Sequence, residues 1–103
     1  QLDRAPLMLH LLADIKKEFK KDYEIHIDTG IMHGADVLAA VALGAQFTYV
    51  GRAYLYGLMA GGQDGVERAL EIMRTQMVRN MKLLGVNSLD ELTPKHVRFL
   101  NRQ

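Results

Sequence analysis

The sequence predicts an α/β fold, and only part of one. Three observations carry that reading: two short β-branched runs, helical stretches before, between and after them, and the count of just two strands. Strands that alternate with helices run parallel, with the helices packed on the sheet. Parallel sheets bury both faces, and each strand needs neighbours for its backbone groups. Two strands therefore describe a slice, and its missing strands come from the rest of a longer chain or from another chain. The start, Gln1-Leu2-Asp3 without an initiator methionine, is what a piece of a longer polypeptide would show, although processing also produces it. The expected unit is one segment, residues 1–103.

The elements follow in order. From Pro6 to Lys20, Met8, Leu11, Leu12, Ile15 and Phe19 recur at helical spacing and leave one buried stripe. Pro6 stands near the start, where its missing N–H costs little. Glu24-Ile25-His26-Ile27-Asp28 reads as a strand ended by Thr29-Gly30. A second helix is expected over Ala35–Ala45, with Val37, Leu38, Val41 and Ala42 inward and Gly44 as its C-terminal cap. Phe47-Thr48-Tyr49-Val50 is the second strand, followed at once by Gly51-Arg52. A short helix, Tyr54–Ala60, closes at Gly61-Gly62. A long helix then runs from Asp64 to Leu84, with Val66, Leu70, Met73, Met77, Met81 and Leu84 on one face and Gly85 as its stop. That methionine-rich stripe reads as core packing, since the flexible thioether fills irregular gaps. The tail carries two helix starts: a capping box at Ser88-Leu89-Asp90-Glu91, and Thr93-Pro94.

Composition excludes several classes of function. The formal charge is +1, whereas a chain that neutralises many phosphates carries a strong basic excess, so no nucleic-acid partner is expected. The one lysine cluster, Lys16, Lys17, Lys20 and Lys21, falls at a helix end, where cations favour the helix dipole; a membrane-surface contact is the minority reading. With no cysteine there is no disulfide, thiolate metal site or Cys nucleophile. No apolar run approaches the ~20 residues that span a bilayer. His10, His26, His33 and His96 show no metal-ligand spacing and are expected to be structural or solvent-facing.

Chemistry is concentrated just after the two strands. In Asp28-Thr29-Gly30-Ile31-Met32-His33-Gly34, a carboxylate at a strand end can accept hydrogen bonds from sugar or ribityl hydroxyls. The glycines permit close backbone approach, and amides at the next helix start can face an anion. A plain strand-to-helix turn with a polar cap explains the same residues. The second feature is Val50-Gly51-Arg52 before a short helix. Many (β/α)8 enzymes build a phosphate site from the loops after strands seven and eight and the N-terminus of a short extra helix. Gly51 lets a phosphate reach the backbone, and Arg52 can pair with its oxygens in a bidentate way. A surface arginine in a salt bridge is the plainer alternative.

Taken together, Gln1-Leu2-Asp3, Ile27-Asp28-Thr29-Gly30-Ile31, Ala42-Leu43-Gly44-Ala45, Val50-Gly51-Arg52-Ala53-Tyr54-Leu55-Tyr56 and Leu84-Gly85-Val86 resemble, in order and spacing, the FMN-dependent 2-hydroxy-acid dehydrogenases and oxidases. The resemblance covers essentially the whole chain, and the Gly-Arg-Ala-Tyr-Leu-Tyr-Gly run looks most like the quinone- or cytochrome-linked L-lactate dehydrogenase branch. It implies the C-terminal portion of a (β/α)8 TIM barrel, about strands seven and eight with flanking helices. By that resemblance Asp28, Thr29, Gly30, Ile31 and Met32 contact the ribityl chain and phosphate of FMN, and Gly51 and Arg52 bind the phosphate. The helix from Pro6 becomes the sixth barrel helix and the long one the eighth.

The resemblance also implies oxidation of L-lactate or a related 2-hydroxy acid to the 2-oxo acid. Electrons would leave through FMN to a quinone, a cytochrome or oxygen. A homo-oligomer is expected, in the cytoplasm or peripheral at the inner membrane. Most members carry a basic residue where this chain has Met32, and many a Gly or Ser where it has Thr29. Met32 supplies no charge, and His33 compensates only if protonated, so weaker flavin retention is expected. The family's catalytic histidine and carboxylate-gripping arginine lie in a stretch that would come just before Gln1, so the segment alone is expected to be inactive. Another phosphate-binding barrel enzyme, or a non-catalytic piece that self-associates through open edges and apolar stripes, are the competing expectations.

Overall fold

A computed structural model describes residues 8–19 and 23–98. Helix α1 (Met8–Phe19) leads to strand β1 (His26–Asp28), helix α2 (Gly34–Ala42), strand β2 (Phe47–Tyr49) and helix α3 (Arg52–Leu84). Two single 3-10 turns, Leu89–Glu91 and Pro94–His96, end the described chain. Pro6, Lys20, Lys21 and Gln1-Leu2-Asp3 lie outside the described residues.

The strands are parallel and in register, His26 opposite Phe47, Ile27 opposite Thr48 and Asp28 opposite Tyr49. Both are shorter than the sequence suggests, because each finds a single partner. Residues Glu24 and Ile25 therefore fall outside the ladder. Ile25 is tied instead to Gln46, whose N–H donates to the Ile25 carbonyl at 2.8 Å and whose Oε1 accepts the Ile25 N–H at 2.6 Å.

One sheet face turns to the helices. Ile27 is fully buried there with Leu12, Ile31, Ala40, Leu43, Ala45 and Met73. A second cluster of Leu38, Ala42, Val86 and Leu92 joins α2 to the tail. The opposite sheet face carries Phe47 and Tyr49, 53% and 48% exposed, with their rings 5.1 Å apart. His26 lies beside both, its Nδ1 3.2 Å from the Tyr49 hydroxyl and its Nε2 2.6 Å from a Glu24 carboxylate oxygen. No described element covers this face.

Helix α2 ends at Ala42, earlier than expected, because Gly44 (φ 115°) turns the chain out. The Gly44 and Ala45 N–H groups close onto the carbonyls of Val41 and Ala40, both at 3.0 Å, which is the Schellman arrangement. Gly85 ends α3 in the same way, and Val86 is buried behind it.

The short and long helices expected after β2 are both present as two limbs of α3, separated where Gly61 (φ −154°, ψ 24°) and Gly62 (φ 59°, ψ −138°) leave helical geometry. The first limb starts at Arg52, two residues sooner than expected. On the second limb Met73 is buried and Val66, Met77 and Met81 half-buried, as core packing requires, while Leu70 and Leu84 of the same stripe are exposed. Both tail turns keep their expected starts, but Pro94 stops the first from lengthening. Glu91 accepts the N–H groups of Asn87 and Ser88, the latter at 2.9 Å.

Candidate functional site

The register puts Asp28 and Tyr49 side by side, so the loops that follow leave the same sheet edge from strands about 4.8 Å apart. Each loop meets open space at a glycine. A Cβ built on Gly30 or Gly51 would touch nothing within 4 Å. The two strand ends thus open side by side onto space that no described side chain fills at either glycine.

The first loop turns sharply. Thr29 (φ 95°) and Gly30 (φ 77°) both occupy the left-handed region. For a β-branched residue this is a strained conformation, of the kind that clusters at ligand sites. Asp28, Thr29 and Gly30 are exposed, and no described group packs over Gly30. Ile31 differs: its side chain is only 3% exposed and belongs to the core, so it can meet a ligand only through its backbone. Met32 is half-buried, and its N–H donates to Asp36 Oδ2 at 3.0 Å. The same oxygen takes the His33 N–H at 2.9 Å, and Gln76 Oε1 on α3 takes the Gly34 N–H at 2.7 Å. The start of α2 is thereby closed by the protein's own acceptors. Gln76 escapes sequence reading because it stands 42 residues from the amide it holds.

The second loop is open. Gly51 is the N-cap of α3 and has no side chain with which to cap it. The first intrahelical bond runs from Leu55 N–H to the Gly51 carbonyl at 3.1 Å, which leaves the N–H groups of Arg52, Ala53 and Tyr54 outside the ladder. These amides and the helix dipole make the start of α3 electropositive. Arg52, the first helical residue, is exposed and adds a full charge. The donor set suits a phosphate at the start of α3, with the exposed Asp28 carboxylate at the neighbouring strand end available to hydroxyls.

Of the histidines, His10 lies on α1, exposed. His26 is engaged on the uncovered sheet face, and His33 is exposed at the cap of α2. His96 Nδ1 accepts the Thr93 N–H at 3.0 Å. Among the described residues no group of three or more His, Asp or Glu side chains could hold a metal ion.

The chain is 60% identical over 102 residues to the "Putative L-lactate dehydrogenase" of Mycobacterium tuberculosis, matching 99% of this chain and 25% of that protein. It is 36% identical to 2-hydroxyacid oxidase 2 of Rattus norvegicus, over 96% of this chain and 28% of that one. Among solved structures, flavocytochrome b2 with sulfite bound superposes with a TM-score of 0.85 at 37% identity, covering 92% of this chain and 26% of that one. An active mutant of (S)-mandelate dehydrogenase gives 0.85 at 34% identity, over 93% and 27%. The chain thus spans about a quarter of the length of the relatives it matches. The FMN-dependent dehydrogenase profile matches residues 1–99, and the chain belongs to that family.

Proposed function

We propose that this chain supplies the last two strand–helix units of a (β/α)8 barrel and, with them, the FMN phosphate site of an enzyme that oxidises L-lactate or a related 2-hydroxy acid. The observation that carries the reading is the pairing of two strand ends, each opening at a bare glycine, beside the uncapped start of α3 and Arg52. Family membership and the likeness to lactate- and mandelate-oxidising proteins support the rest. The uncovered aromatic sheet face suits the lumen of such a barrel, which side chains fill in layers.

In this reading α3's first-turn amides and Arg52 hold the phosphate. Asp28 accepts from the ribityl hydroxyls, and the Thr29-Gly30 turn keeps side chains out of the space at the strand ends. The substrate loses its carbon-bound hydrogen and its hydroxyl proton to become the 2-oxo acid; bound FMN supplies the two-electron acceptor for that step. The proton acceptor and the group that grips the substrate carboxylate come from outside residues 1–103: His10 lies on α1, His26 is engaged by Glu24 and Tyr49, His33 stands at the cap of α2 and His96 is bonded to Thr93. The exposed apolar side chains support an assembly larger than one copy of this chain.

The test compares FMN with riboflavin, which lacks the phosphate. The protein is expressed from its whole reading frame, and binding is followed by quenching of flavin fluorescence. Arg52→Gln is expected to weaken FMN about 10- to 100-fold, as loss of a charge-assisted phosphate contact would, and to leave riboflavin unchanged. An unchanged FMN affinity in Arg52→Gln would remove the phosphate from this site.

A further inference from the structure

We propose that Gly57 and Gly65 are positioning residues of the phosphate site: the point where their backbones cross sets the direction in which the first turn of α3 meets the strand ends. The inference rests on the FMN reading above and assigns a role that neither loop carries.

The argument starts at the kink. Gly61 and Gly62 leave helical geometry, so the limb formed by residues 52–60 is not held in line by the helix that follows. Little else among the described residues holds it. Tyr54, Leu55, Tyr56, Leu58 and Met59 are all exposed, Met59 by 82%. Only two inward contacts stand out. Ala53 packs on the core cluster, and Gly57 lies directly on Gly65 of the second limb. The fit there is backbone on backbone. A Cβ on Gly65 would run into the Gly57 carbonyl oxygen. One on Gly57 would run into the Gly65 carbonyl oxygen, and would also lie 2.9 Å from its carbonyl carbon and 3.1 Å from Ala69 Cβ.

Gly57 stands five residues beyond Arg52, a lever of about 7.5 Å along the helix axis. Any side chain at the crossing must push the limbs apart there and so tilt the free amides and Arg52 relative to the strand ends. Hydrogen bonds weaken steeply when their angle is lost, so a tilt acts on the phosphate and not on the rest of the flavin.

The experiment measures FMN and riboflavin affinities of Gly57→Ala and Gly65→Ala, in protein expressed from its whole reading frame, beside the parent and Arg52→Gln. Thermal unfolding is followed in parallel. Positioning predicts that FMN affinity falls at least tenfold, that riboflavin stays within about twofold, and that the FMN preference approaches that of Arg52→Gln. A merely structural role lowers both flavins together, and that result overturns the proposal, as does an unmoved FMN affinity. Should neither glycine variant fold, Ala69→Val crowds the same crossing more gently and must reduce the FMN preference in the same sense, or the proposal fails. A parent protein that binds neither flavin would sink the FMN reading itself. A parent that prefers FMN, beside glycine variants with the same preference, would sink only this inference.

Discussion

Thr29 is the residue whose conformation and identity conflict most. It holds φ 95° with a β-branched side chain, where the forced geometry costs about 1–3 kcal/mol. Glycine would release that strain, and would return part of the gain through its freer unfolded chain. Thr29→Gly is therefore expected to stabilise the protein by about 1 kcal/mol, read from the denaturant midpoint. A lower midpoint would mean that the threonine side chain makes a contact worth more than the strain. At this scale much of the candidate site was legible. Asp28, Gly30, Gly51 and Arg52 declare themselves by residue type at strand ends, and all four are exposed there. Ile31 and Met32 were legible only by resemblance. That the Ile31 side chain enters the core, and that Asp36 takes the Met32 amide, depend on where α2 and α3 come to rest.

Element boundaries were set by partners more than by local preference. Both strands lost residues at their ends for want of neighbours, whereas the stops at Gly44 and Gly85 were fully written in the sequence, since each needs only local carbonyls. The docking of α2 on α3 was not readable, because it depends on a backbone approach across some forty residues. A Cβ on Gly34 would run into the Met73 carbonyl oxygen and lie 2.7 Å from Met77 N and 2.8 Å from Gln76 Cβ. Gly34→Ala must lift the start of α2 and stretch its bond to Gln76. Overpacking and a lost buried hydrogen bond together predict a destabilisation of about 3 kcal/mol. Gln76→Leu loses the bond without the clash, and about 1–2 kcal/mol is expected. Chemical denaturation of the two variants decides the point. Equal losses would mean that the hydrogen bond, and not the close approach, joins the two helices.

For the whole molecule, the count of two strands was the most informative feature of the sequence, and the structure shows its consequence. Among the described residues the sheet has two unpaired edges and one bare face. Phe47 and Tyr49 lie on that face, while Met59 and Leu83 are 82% and 79% exposed on α3. Burial of such surface is worth roughly 25 cal/mol per Å2, and unpaired strand edges recruit further strands. A chain of this size has little core with which to offset its conformational entropy. Isolated residues 1–103 are therefore expected to self-associate, with a light-scattering mass at least twice 11.6 kDa at micromolar concentration. Phe47→Ser combined with Met59→Ser should lower that mass, since both remove exposed apolar surface without touching either core cluster. A monodisperse 11.6 kDa species that unfolds cooperatively would show that two strands suffice, and the description of this chain as a slice of a larger sheet would have to be given up.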